Sequence, residues 1–566
     1  MSAPTIPVTR FLRLALFAAT LATVPIGTIV RAGEETRAKL DREIAAADLP
    51  GLTRSAIGVT RGDTPIPCLV SPEDFDFGTE KFRVLLVGGL DGTENSVRGA
   101  LAAASALRET DGVAVSCVPC ADPDRWAAGE PVLAAAFPPE GNAYNDPKTD
   151  TAQYLWRWIG MHAPDLTIEV RSEAGFALDA LNHGTPSGIG TIPARVVTVG
   201  NLGEVAAAVR EAVETARSAG PSPARLEMRR RVGRSPIEVA TQLGAVYGHK
   251  LEPVMYIPAL AIVGRMRLGE LTGDPQPLAE AERLADPYRT GAKESMGEKG
   301  NGSTISGHLV FSALAAAKGD PRDVALAKKV ADYGFDEKGE PKESMPFHSE
   351  MSDSVFMGCA ILAETGQLTG DSKYFAMCLR HLRFMRGHCL RKDGIYRHSP
   401  LDDSAWGRGN GFPALGMALS LSALPEDSPE FAAFLESYRA HLTALRAHQD
   451  PNGMWHQIID RPESYREFTS TCMITFAILR GLRRGWLDER EWAPVVAKSW
   501  PAILSRIAPN GDLVDVCTGT GKMKSPRDYF DRTAILGKDD RGGAMALMVS
   551  TERAFREKEQ KGDTRK

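Results

Sequence analysis

The first part of the chain alternates short apolar runs with stretches of helical length. The run Phe82–Gly89 is β-branched, ends in glycines and precedes the helical stretch Ser96–Arg108. Similar apolar runs are interleaved with Ala-rich or Trp-containing helical stretches, and they are Val113–Val118, Leu166–Val170 and Arg195–Val199. This alternation predicts an α/β domain over residues 33–216, with a mostly parallel sheet.

From Ser235 onward the strand pattern fades, and helical segments rich in Ala, Leu and Met recur. Three similar short motifs separate these helical segments, and they are Leu271–Asp274, Lys318–Asp320 and Leu368–Asp371. Each contains Gly-Asp, in which glycine takes the left-handed conformation past a helix end and the aspartate accepts the free amides of the next helix. These Gly-Asp motifs predict helical hairpins that repeat about every 45 to 50 residues.

Later helical segments continue this repeat, and they are Gly411–Leu424, Phe431–His448, Phe468–Arg484 and Glu489–Arg506. Periodicity alone is compatible with an open solenoid or a closed ring. The connections vary in length, and one class of them concentrates Trp, His, Arg and Asp. That concentration favours a ring whose long loops gather over one mouth. We predict an all-α domain over residues 235–558.

The segment between the two domains, residues 217–234, has no sustained apolar pattern. It contains Ser-Ala-Gly-Pro-Ser-Pro followed by the basic run Arg229–Arg231. This composition predicts a solvated linker, with anion binding by the basic run as the alternative.

The first 32 residues are typical of a secretory signal. Arg10 and Arg13 precede an apolar run from Leu14 to about Ala22, and Val30–Ala32 has small or apolar residues where signal peptidase requires them. We predict a signal peptide over residues 1–32, and therefore a secreted or periplasmic protein.

Composition narrows the possible partners. Removal of residues 1–32 would take away three arginines and no acidic residue, leaving 64 basic and 72 acidic side chains and a net charge of −8. We therefore expect no nucleic-acid partner, and no internal stretch is apolar enough for a membrane span. Eight cysteines in 566 residues do not make a disulfide scaffold. Cys117 and Cys120 lack the second pair of a zinc site, so we expect free thiols or one local disulfide.

The densest group of polar residues lies in the all-α domain. It runs from Gly394–His398 through Asp402 and Asp403 to Trp406–Phe412. Trp stacks on the apolar face of a pyranose and Arg forms two hydrogen bonds to a carboxylate, which together suit a uronic acid. In the alternative, Trp406 fills a gap between helices and Arg408 pairs with Asp402 or Asp403.

The heptapeptide Trp406–Phe412 resembles the WGRGNG signature of the unsaturated rhamnogalacturonyl hydrolases, relatives of the unsaturated glucuronyl hydrolases (glycosyl hydrolase families 105 and 88). The resemblance covers roughly Ser235 to Phe555. Further stretches agree in order and spacing, and they are Asp353–Met357, His456–Asp460, Glu463–Tyr465, Thr469–Met473, Cys517–Gly521, Tyr529 and Asp540–Ala544.

The resemblance implies an (α/α)6 toroid that removes a Δ4,5-unsaturated uronyl residue from the non-reducing end of lyase-generated oligosaccharides. The implied reaction is hydration of an enol ether, which needs one positioned acid and a water and no cofactor. Asp353 takes the role of the acid by position, although an aspartate there also suits the start of the next helix. The implied substrate-binding residues are His398, Trp406, Arg408, Asn410 and His456.

The chain departs from the family at one point. Members carry a second acidic residue just before a helix that here begins near Ile305, where this sequence reads Asn301–Thr304. A toroid that binds sugars without turnover is therefore an alternative function.

The N-terminal domain resembles the zinc carboxypeptidases over Leu85–Glu94, Ala121–Asp124 and Asp165–Arg171. Zinc in that family takes two His and one Glu, but the matching positions here are Asp91, Glu94 and Arg171. We predict a carboxypeptidase-like domain without zinc, and an active metallocarboxypeptidase is the less favoured alternative.

Overall fold

The computed structural model describes residues 26–132, 134–144, 146, 151–297 and 300–563. Residues 1–25 of the predicted signal peptide lie outside the described residues, so the signal remains a prediction. None of the described helices is both long and apolar enough to cross a membrane. All eight cysteines, including Cys117 and Cys120, are buried free thiols.

The N-terminal part is an α/β domain built on one sheet. Its elements are α1 (Ile26–Ala46), β1 (Thr53–Val59), β2 (Pro65–Val70), β3 (Phe82–Val87), α2 (Glu94–Arg108), β4 (Val113–Val118), α3 (Pro123–Ala128), α4 (Ala152–His162), β5 (Leu166–Arg171), β6 (Ala194–Thr198) and α5 (Leu202–Arg217). Six described strands form the order β1-β2-β4-β3-β5-β6. Strands β4, β3, β5 and β6 pair with one another in parallel, which confirms the predicted α/β domain.

The hairpin of β1 and β2 at one edge of the sheet was not predicted. Strand β2 reads Pro-Ile-Pro-Cys-Leu-Val, and proline normally argues against an inner strand because it cannot donate to the ladder. In the structure β2 pairs with β4 only through Leu69 and Cys117, beyond both prolines. The antiparallel pairing with β1 accounts for the rest of the strand.

The prediction of a solvated linker over residues 217–234 is wrong. Most of that segment is helix α6 (Pro223–Val232). Arg225 is buried and pairs with Asp165 of the α/β domain, while Arg231 donates to the Ser505 carbonyl of the all-α domain at 3.0 Å. The basic residues therefore bond to both domains and hold the connection between them.

The remaining helices and strands belong to the C-terminal domain. They are α7 (Pro236–Gly244), α8 (Tyr256–Thr272), α9 (Gln276–Arg289), α10 (Gly302–Gly307), α11 (Leu309–Lys318), α12 (Pro321–Ala331), α13 (Ser354–Thr369), α14 (Lys373–Cys389), α15 (Gly407–Ala423), α16 (Pro429–Arg446), β7 (Trp455–His456), β8 (Arg466–Glu467), α17 (Phe468–Arg483), α18 (Glu489–Ser505), β9 (Leu513–Cys517), α19 (Pro526–Phe530), β10 (Ala534–Gly537) and α20 (Asp540–Asp563).

These helices form a closed double ring. The inner layer runs through α8, the α10–α11 pair, α13, α15, α17 and α20, and α20 packs against both α17 and α8. Helices α7, α9, α12, α14, α16 and α18 form the outer layer and pack against the inner helices. Ring closure resolves the choice between solenoid and toroid in favour of the (α/α)6 toroid.

The Gly-Asp motifs join consecutive helices, as predicted. Gly273, Gly319 and Gly370 end their helices with φ values of 75°, 71° and 70°. Asp320 then accepts a hydrogen bond from the Arg322 amide at 2.9 Å, and Asp371 accepts one from the Lys373 amide at 3.1 Å. The local physics of helix ends therefore fixes the hairpins.

The α/β domain packs on the loops of the toroid, and the two share a hydrophobic cluster. This cluster, named the interdomain cluster, combines Ile57, Tyr144 and Tyr154 with residues of the toroid loops, among them Trp406, Tyr465, Tyr529 and Phe530. The rings of Tyr144 and Tyr465 stack at 4.4 Å between centroids. Arg157 of α4 donates to the Ala534 carbonyl at 2.8 Å.

Ring closure rests on Glu552 of α20, which is fully buried. Its carboxylate accepts hydrogen bonds from Arg267 of α8 at 2.5 Å and from Arg480 and Arg483 of α17 at 2.8 and 2.7 Å. Burial alone would raise the pKa of Glu552, but the three guanidinium groups hold it well below its usual range. The carboxylate therefore stays ionised and joins three inner helices.

Glu552→Gln should lower the free energy of unfolding by about 3 to 5 kcal/mol, because it leaves buried guanidinium groups without their carboxylate. Since the pKa of Glu552 is depressed in the folded state, its contribution is present above about pH 4.3 and is lost as the pH falls below that value. Denaturant unfolding between pH 3.5 and about pH 7 tests both effects. Glu559→Gln is the control, because Glu559 is half exposed and pairs with Arg483 at the surface. Equal losses in the two variants would contradict the role of Glu552.

Candidate active site

The inner helices direct their N-terminal ends toward one mouth of the ring. Asp353 precedes α13, Trp406 precedes α15, Glu467 precedes α17 and Asp540 begins α20. Partial positive charge at these helix ends favours anionic groups. The predicted site residues lie on these ends and on the loops between them.

Asp353 is buried, with 6% of its surface exposed. It occupies the position before α13, but its side chain does not cap that helix. Its Oδ1 lies 3.5 Å from Nε2 of His398, and neither atom has a hydrogen-bond partner. The carboxyl group is therefore available for chemistry, and the helix-capping alternative for Asp353 does not hold.

His398 is held by two aromatic residues. Its Nδ1 lies 2.9 Å from the Tyr529 hydroxyl, and its ring lies 4.4 Å from the ring of Trp406. The Tyr529 oxygen already accepts from the Met523 amide at 3.2 Å, so its own proton is free for His398 Nδ1. With the Tyr529 hydroxyl as the donor to Nδ1, the imidazole proton lies on Nε2, which faces Asp353. The sequence motif contains Tyr529, but nothing in its spacing indicated this contact.

Arg408 is buried and does not pair with Asp402 or Asp403. Its Nη1 donates to the Cys517 carbonyl at 2.7 Å and its Nη2 to the Thr518 carbonyl at 2.8 Å. Its guanidinium lies 4.6 Å from the Trp406 ring centroid, and its Nε has no partner. The Nε–H of the buried Arg408 guanidinium is therefore free to donate a hydrogen bond. The alternative prediction, an ion pair of Arg408 with Asp402 or Asp403, is wrong.

Several buried polar atoms without partners converge here. They are Oγ of Ser352, Oδ1 of Asp353, Nε2 of His398, Nε1 of Trp406 and Nε of Arg408. Native interiors hold few such atoms, because an unpaired buried polar group costs about 1 to 3 kcal/mol. Their concentration in one place marks a candidate ligand site.

Two residues of the predicted substrate-binding set are already fully engaged with the protein. The Asn410 amide donates to the carbonyls of Tyr396 and Trp406 and accepts from the Tyr396 amide. His456 lies between the Ser464 carbonyl at 2.7 Å and Asp450 at 3.0 Å. These contacts make Asn410 and His456 supports of the loops, so the structure does not support a substrate contact for either.

The expected place of a second acidic residue holds none. Asn301 caps α10 by accepting from the Thr304 amide at 3.0 Å. A Cβ atom on Gly302 would lie 2.5 Å from Nδ1 of His348 and 2.8 Å from Sδ of Met357. The His348 ring therefore occupies the space beside this turn.

The positions that match zinc ligands in the α/β domain have other partners. Asp91 accepts from the Ser172 amide at 2.6 Å, Glu94 pairs with Lys39, and Arg171 pairs with Glu169 at 2.5 Å. No group of three His, Cys, Asp or Glu among the described residues is arranged to hold a metal ion. The carboxypeptidase resemblance remains a prediction.

Comparison with known proteins places the toroid in a family. The model of Glycosyl Hydrolase Family 88 matches residues 243–556. Unsaturated rhamnogalacturonyl hydrolase YesR of Bacillus subtilis is 28% identical over 251 residues, which are 40% of this chain and 70% of that protein. An unsaturated 3S-rhamnoglycuronyl hydrolase of Alteromonas sp. is 28% identical over 187 residues, which are 31% of this chain and 45% of the relative. The solved unsaturated glucuronyl hydrolase of Bacillus sp. GL1 is 16% identical, with a TM-score of 0.42 over 57% of this chain and 96% of that one.

Asn410→Ala should lower the free energy of unfolding by at least about 2 kcal/mol, because it leaves the buried amide and carbonyl of Tyr396 without their hydrogen-bond partner. Denaturant unfolding measures this loss. The control is Asn510→Ala, at an exposed turn, with an expected loss below about 1 kcal/mol. An Asn410→Ala variant of unchanged stability would argue against the support role.

Proposed function

The chain belongs to Glycosyl Hydrolase Family 88, and from this we propose that its toroid removes a Δ4,5-unsaturated uronyl residue from the non-reducing end of oligosaccharides. It is a glycoside hydrolase, and the names of its relatives favour unsaturated, rhamnose-containing substrates. We further propose that the protein acts outside the cytoplasm, on the basis of residues 1–32.

The observation that carries this proposal is the Nε–H of Arg408, which lies near Asp353 and has no hydrogen-bond partner among the described residues. A buried Nε–H without an acceptor is costly, and a ligand carboxylate would supply that acceptor. The Nε–H and the remaining Nη2–H of Arg408 form a two-donor fork of the kind that binds carboxylates. A uronyl carboxylate held there would bring the sugar ring beside Asp353 and His398.

The proposed mechanism uses one carboxyl group in two steps. Asp353 in its acid form gives its proton to C4 of the enol ether, and positive charge develops over C5 and the ring oxygen. A water molecule then adds to C5 and passes a proton to the Asp353 carboxylate, which restores the acid. The hemiketal opens its bond from C5 to the ring oxygen to form a ketone, and the hemiacetal left at C1 releases the aglycone.

His398 has a defined part in this cycle. After the first proton transfer Asp353 is a carboxylate, and the Nε2–H of His398 lies 3.5 Å from its Oδ1. A small approach of the two groups makes a hydrogen bond that stabilises this carboxylate until it accepts the proton from water. Tyr529 fixes the tautomer that this contact needs.

A sugar-binding toroid without turnover is the second candidate. The observation that favours it is the opening turn of α10, where Asn301 to Thr304 supply no carboxylate. The two candidates differ in one measurement, because hydration destroys the conjugated ultraviolet band of the unsaturated uronyl group. Persistence of that band, with measurable binding to unsaturated oligosaccharides, would establish the binding module.

Asp353→Asn should lower kcat about 100-fold or more while substrate binding persists, because the amide cannot donate a proton to carbon. The assay follows loss of the ultraviolet band with unsaturated rhamnogalacturonan and glucuronan oligomers. The matched control is Asp403→Asn, since the Asp403 side chain is 82% exposed and should leave the rate unchanged. A fully active Asp353→Asn enzyme would refute the assignment of the acid.

Arg408→Lys should weaken the preference for a charged uronyl carboxylate by about 10- to 100-fold, because lysine keeps the charge but loses the two-donor fork. The measurement is the ratio of kcat/KM for an unsaturated oligosaccharide to that for its methyl ester. Arg397→Lys, on the loop that precedes α15, is the control, and thermal unfolding checks that both variants are folded. An unchanged ratio in Arg408→Lys would contradict carboxylate recognition by Arg408.

A further inference from the structure

A cavity of about 420 Å³ lies between the α/β domain and the side of the toroid. Its walls come from β1, β2 and α4 on one side and from α18, β8 and β9 on the other. Asp353, His398, Trp406 and Arg408 do not line it. This interdomain cavity is therefore separate from the proposed active site, and its volume falls within the range of small-molecule pockets.

The aromatic rings of the wall already contact other groups of the protein. Tyr144 contacts Tyr154 and Tyr465, at centroid distances of 4.7 and 4.4 Å. The guanidinium of Arg157 also lies 4.8 Å from the Tyr144 centroid. These rings therefore fix the shape of the wall, and its charged groups decide which ligand fits.

Two arginines of the wall share one carboxylate. Nη2 of Arg157 lies 2.8 Å from Asp515, and Nε of Arg506 lies 3.9 Å from the same side chain. Asp515 also accepts a hydrogen bond from the Tyr144 hydroxyl at 2.7 Å. Since a single carboxylate faces two buried guanidinium groups, one positive charge lacks a counter-ion there.

Both arginines also have a donor without an acceptor. Nε of Arg157 and Nε of Arg506 are buried, and neither has a hydrogen-bond partner in the described part of the chain. The two residues are only 1% and 4% exposed. A buried N–H without an acceptor is unfavourable, and an anion would supply both the acceptor and the missing negative charge.

The toroid side of the cavity adds to this excess of positive charge. Three cationic side chains and one carboxylate line it, and they are Arg466, Lys498, Arg506 and Asp515. Asp450, behind the wall, pairs with Arg466 at 2.9 Å. Lys498 is exposed at the rim and has no ion pair or hydrogen bond with any residue that the structure describes. A cation is therefore available where a ligand would enter.

The carboxylates of the α/β side do not cancel this charge. Asp74 is buried 4.0 Å from Arg83, and burial raises the pKa of Asp74 to about 7, so part of its charge is lost near neutral pH. Asp76 is exposed, and its Oδ1 accepts from the Gly78 amide at 2.9 Å. The balance of the wall therefore favours an anion.

Atoms suited to a hydroxyl group lie on the same α/β side. Oδ1 of Asp74 and Nε2 of His162 are buried, and neither has a hydrogen-bond partner among the described residues. The two atoms are 3.6 Å apart, too far for a direct hydrogen bond. One hydroxyl group can contact both, because it donates one hydrogen bond and accepts others.

We propose that the interdomain cavity binds a uronate, a small sugar acid with one carboxylate and several hydroxyl groups. The carboxylate pairs with Arg157 and Arg506, Lys498 adds attraction at the rim, and a hydroxyl group contacts Asp74 and His162. This binding is separate from hydrolysis and uses residues of both domains. It stands or fails independently of the activity proposed for Asp353.

Calorimetric titration of the full-length protein with galacturonate, galactose and succinate tests the ligand class. We expect galacturonate to bind at least about 10-fold more tightly than galactose, which lacks the carboxylate, and more tightly than succinate, which lacks the hydroxyl groups. Failure of galacturonate to bind up to about 50 mM would overturn the proposal. Equal or tighter binding of galactose or of succinate would overturn it too.

Lys498→Glu tests the location of the site. Because Lys498 is exposed, the change reverses a charge of the wall without disturbing the interior, and the Kd for galacturonate should rise about 10-fold. The matched control is Lys558→Glu, at an exposed position of α20 outside the cavity wall, with an unchanged Kd. Arg408→Lys distinguishes the two sites, since it weakens galacturonate bound at the proposed active site and leaves the interdomain cavity intact.

Ala497→Trp tests the same site by obstruction. Ala497 lines the cavity and is exposed on α18, so a tryptophan there should also raise the Kd at least about 10-fold. Ala432→Trp, at an exposed position of the outer helix α16, is its control. Thermal unfolding checks that every variant is folded. Unchanged galacturonate binding in Lys498→Glu and Ala497→Trp would overturn the proposal, as would loss of all galacturonate binding in Arg408→Lys.

Discussion

Closure of the helical ring depends on one buried carboxylate that three guanidinium groups share. Glu552 joins α20 to its two neighbours in the ring, α8 and α17, which are far apart from each other in sequence. The excess positive charge lies over aromatic rings, with Arg480 4.9 Å from Phe476 and Arg267 4.8 Å from Phe555. Once the ring is closed, the N-terminal ends of its inner helices converge on one mouth. The geometry of the proposed active site is therefore a consequence of ring closure.

The proposed active site combines groups that the protein holds in place with polar groups that have no hydrogen-bond partner. Asn410 and His456 hold the loops, Tyr529 holds His398, and two loop carbonyls hold Arg408. Among these fixed groups, Oδ1 of Asp353 and Nε of Arg408 have no hydrogen-bond partner in the described part of the chain. Preorganised groups of this kind act on a bound substrate without a cost of reorganisation. The α/β domain contributes the Thr60 carbonyl, which accepts a hydrogen bond from Arg527 of α19 and thereby supports the segment that contains Tyr529.

The sequence predicted those parts of the molecule that local physics determines. Gly273, Gly319 and Gly370 marked helix ends, and apolar runs such as Val113–Val118 marked the parallel strands. It failed where a tertiary contact decides the outcome. Polar composition made α6 look like a linker, because the carbonyls that satisfy Arg225 and Arg231 come from distant residues. The roles of Asn410 and Tyr529 were equally hidden, since their partners Trp406 and His398 are set by the fold.

The interdomain cluster has a consequence for folding. Residues from both domains, such as Tyr144 and Tyr465, bury their rings against each other, so neither domain completes its apolar interior alone. Units that share a buried interior lose it together, and the two domains are expected to unfold in a single cooperative transition. Proteolytic cleavage within α6 would leave two fragments with exposed aromatic faces, prone to aggregate. Evolutionary loss of the α/β domain would therefore require new polar residues across the mouth of the toroid.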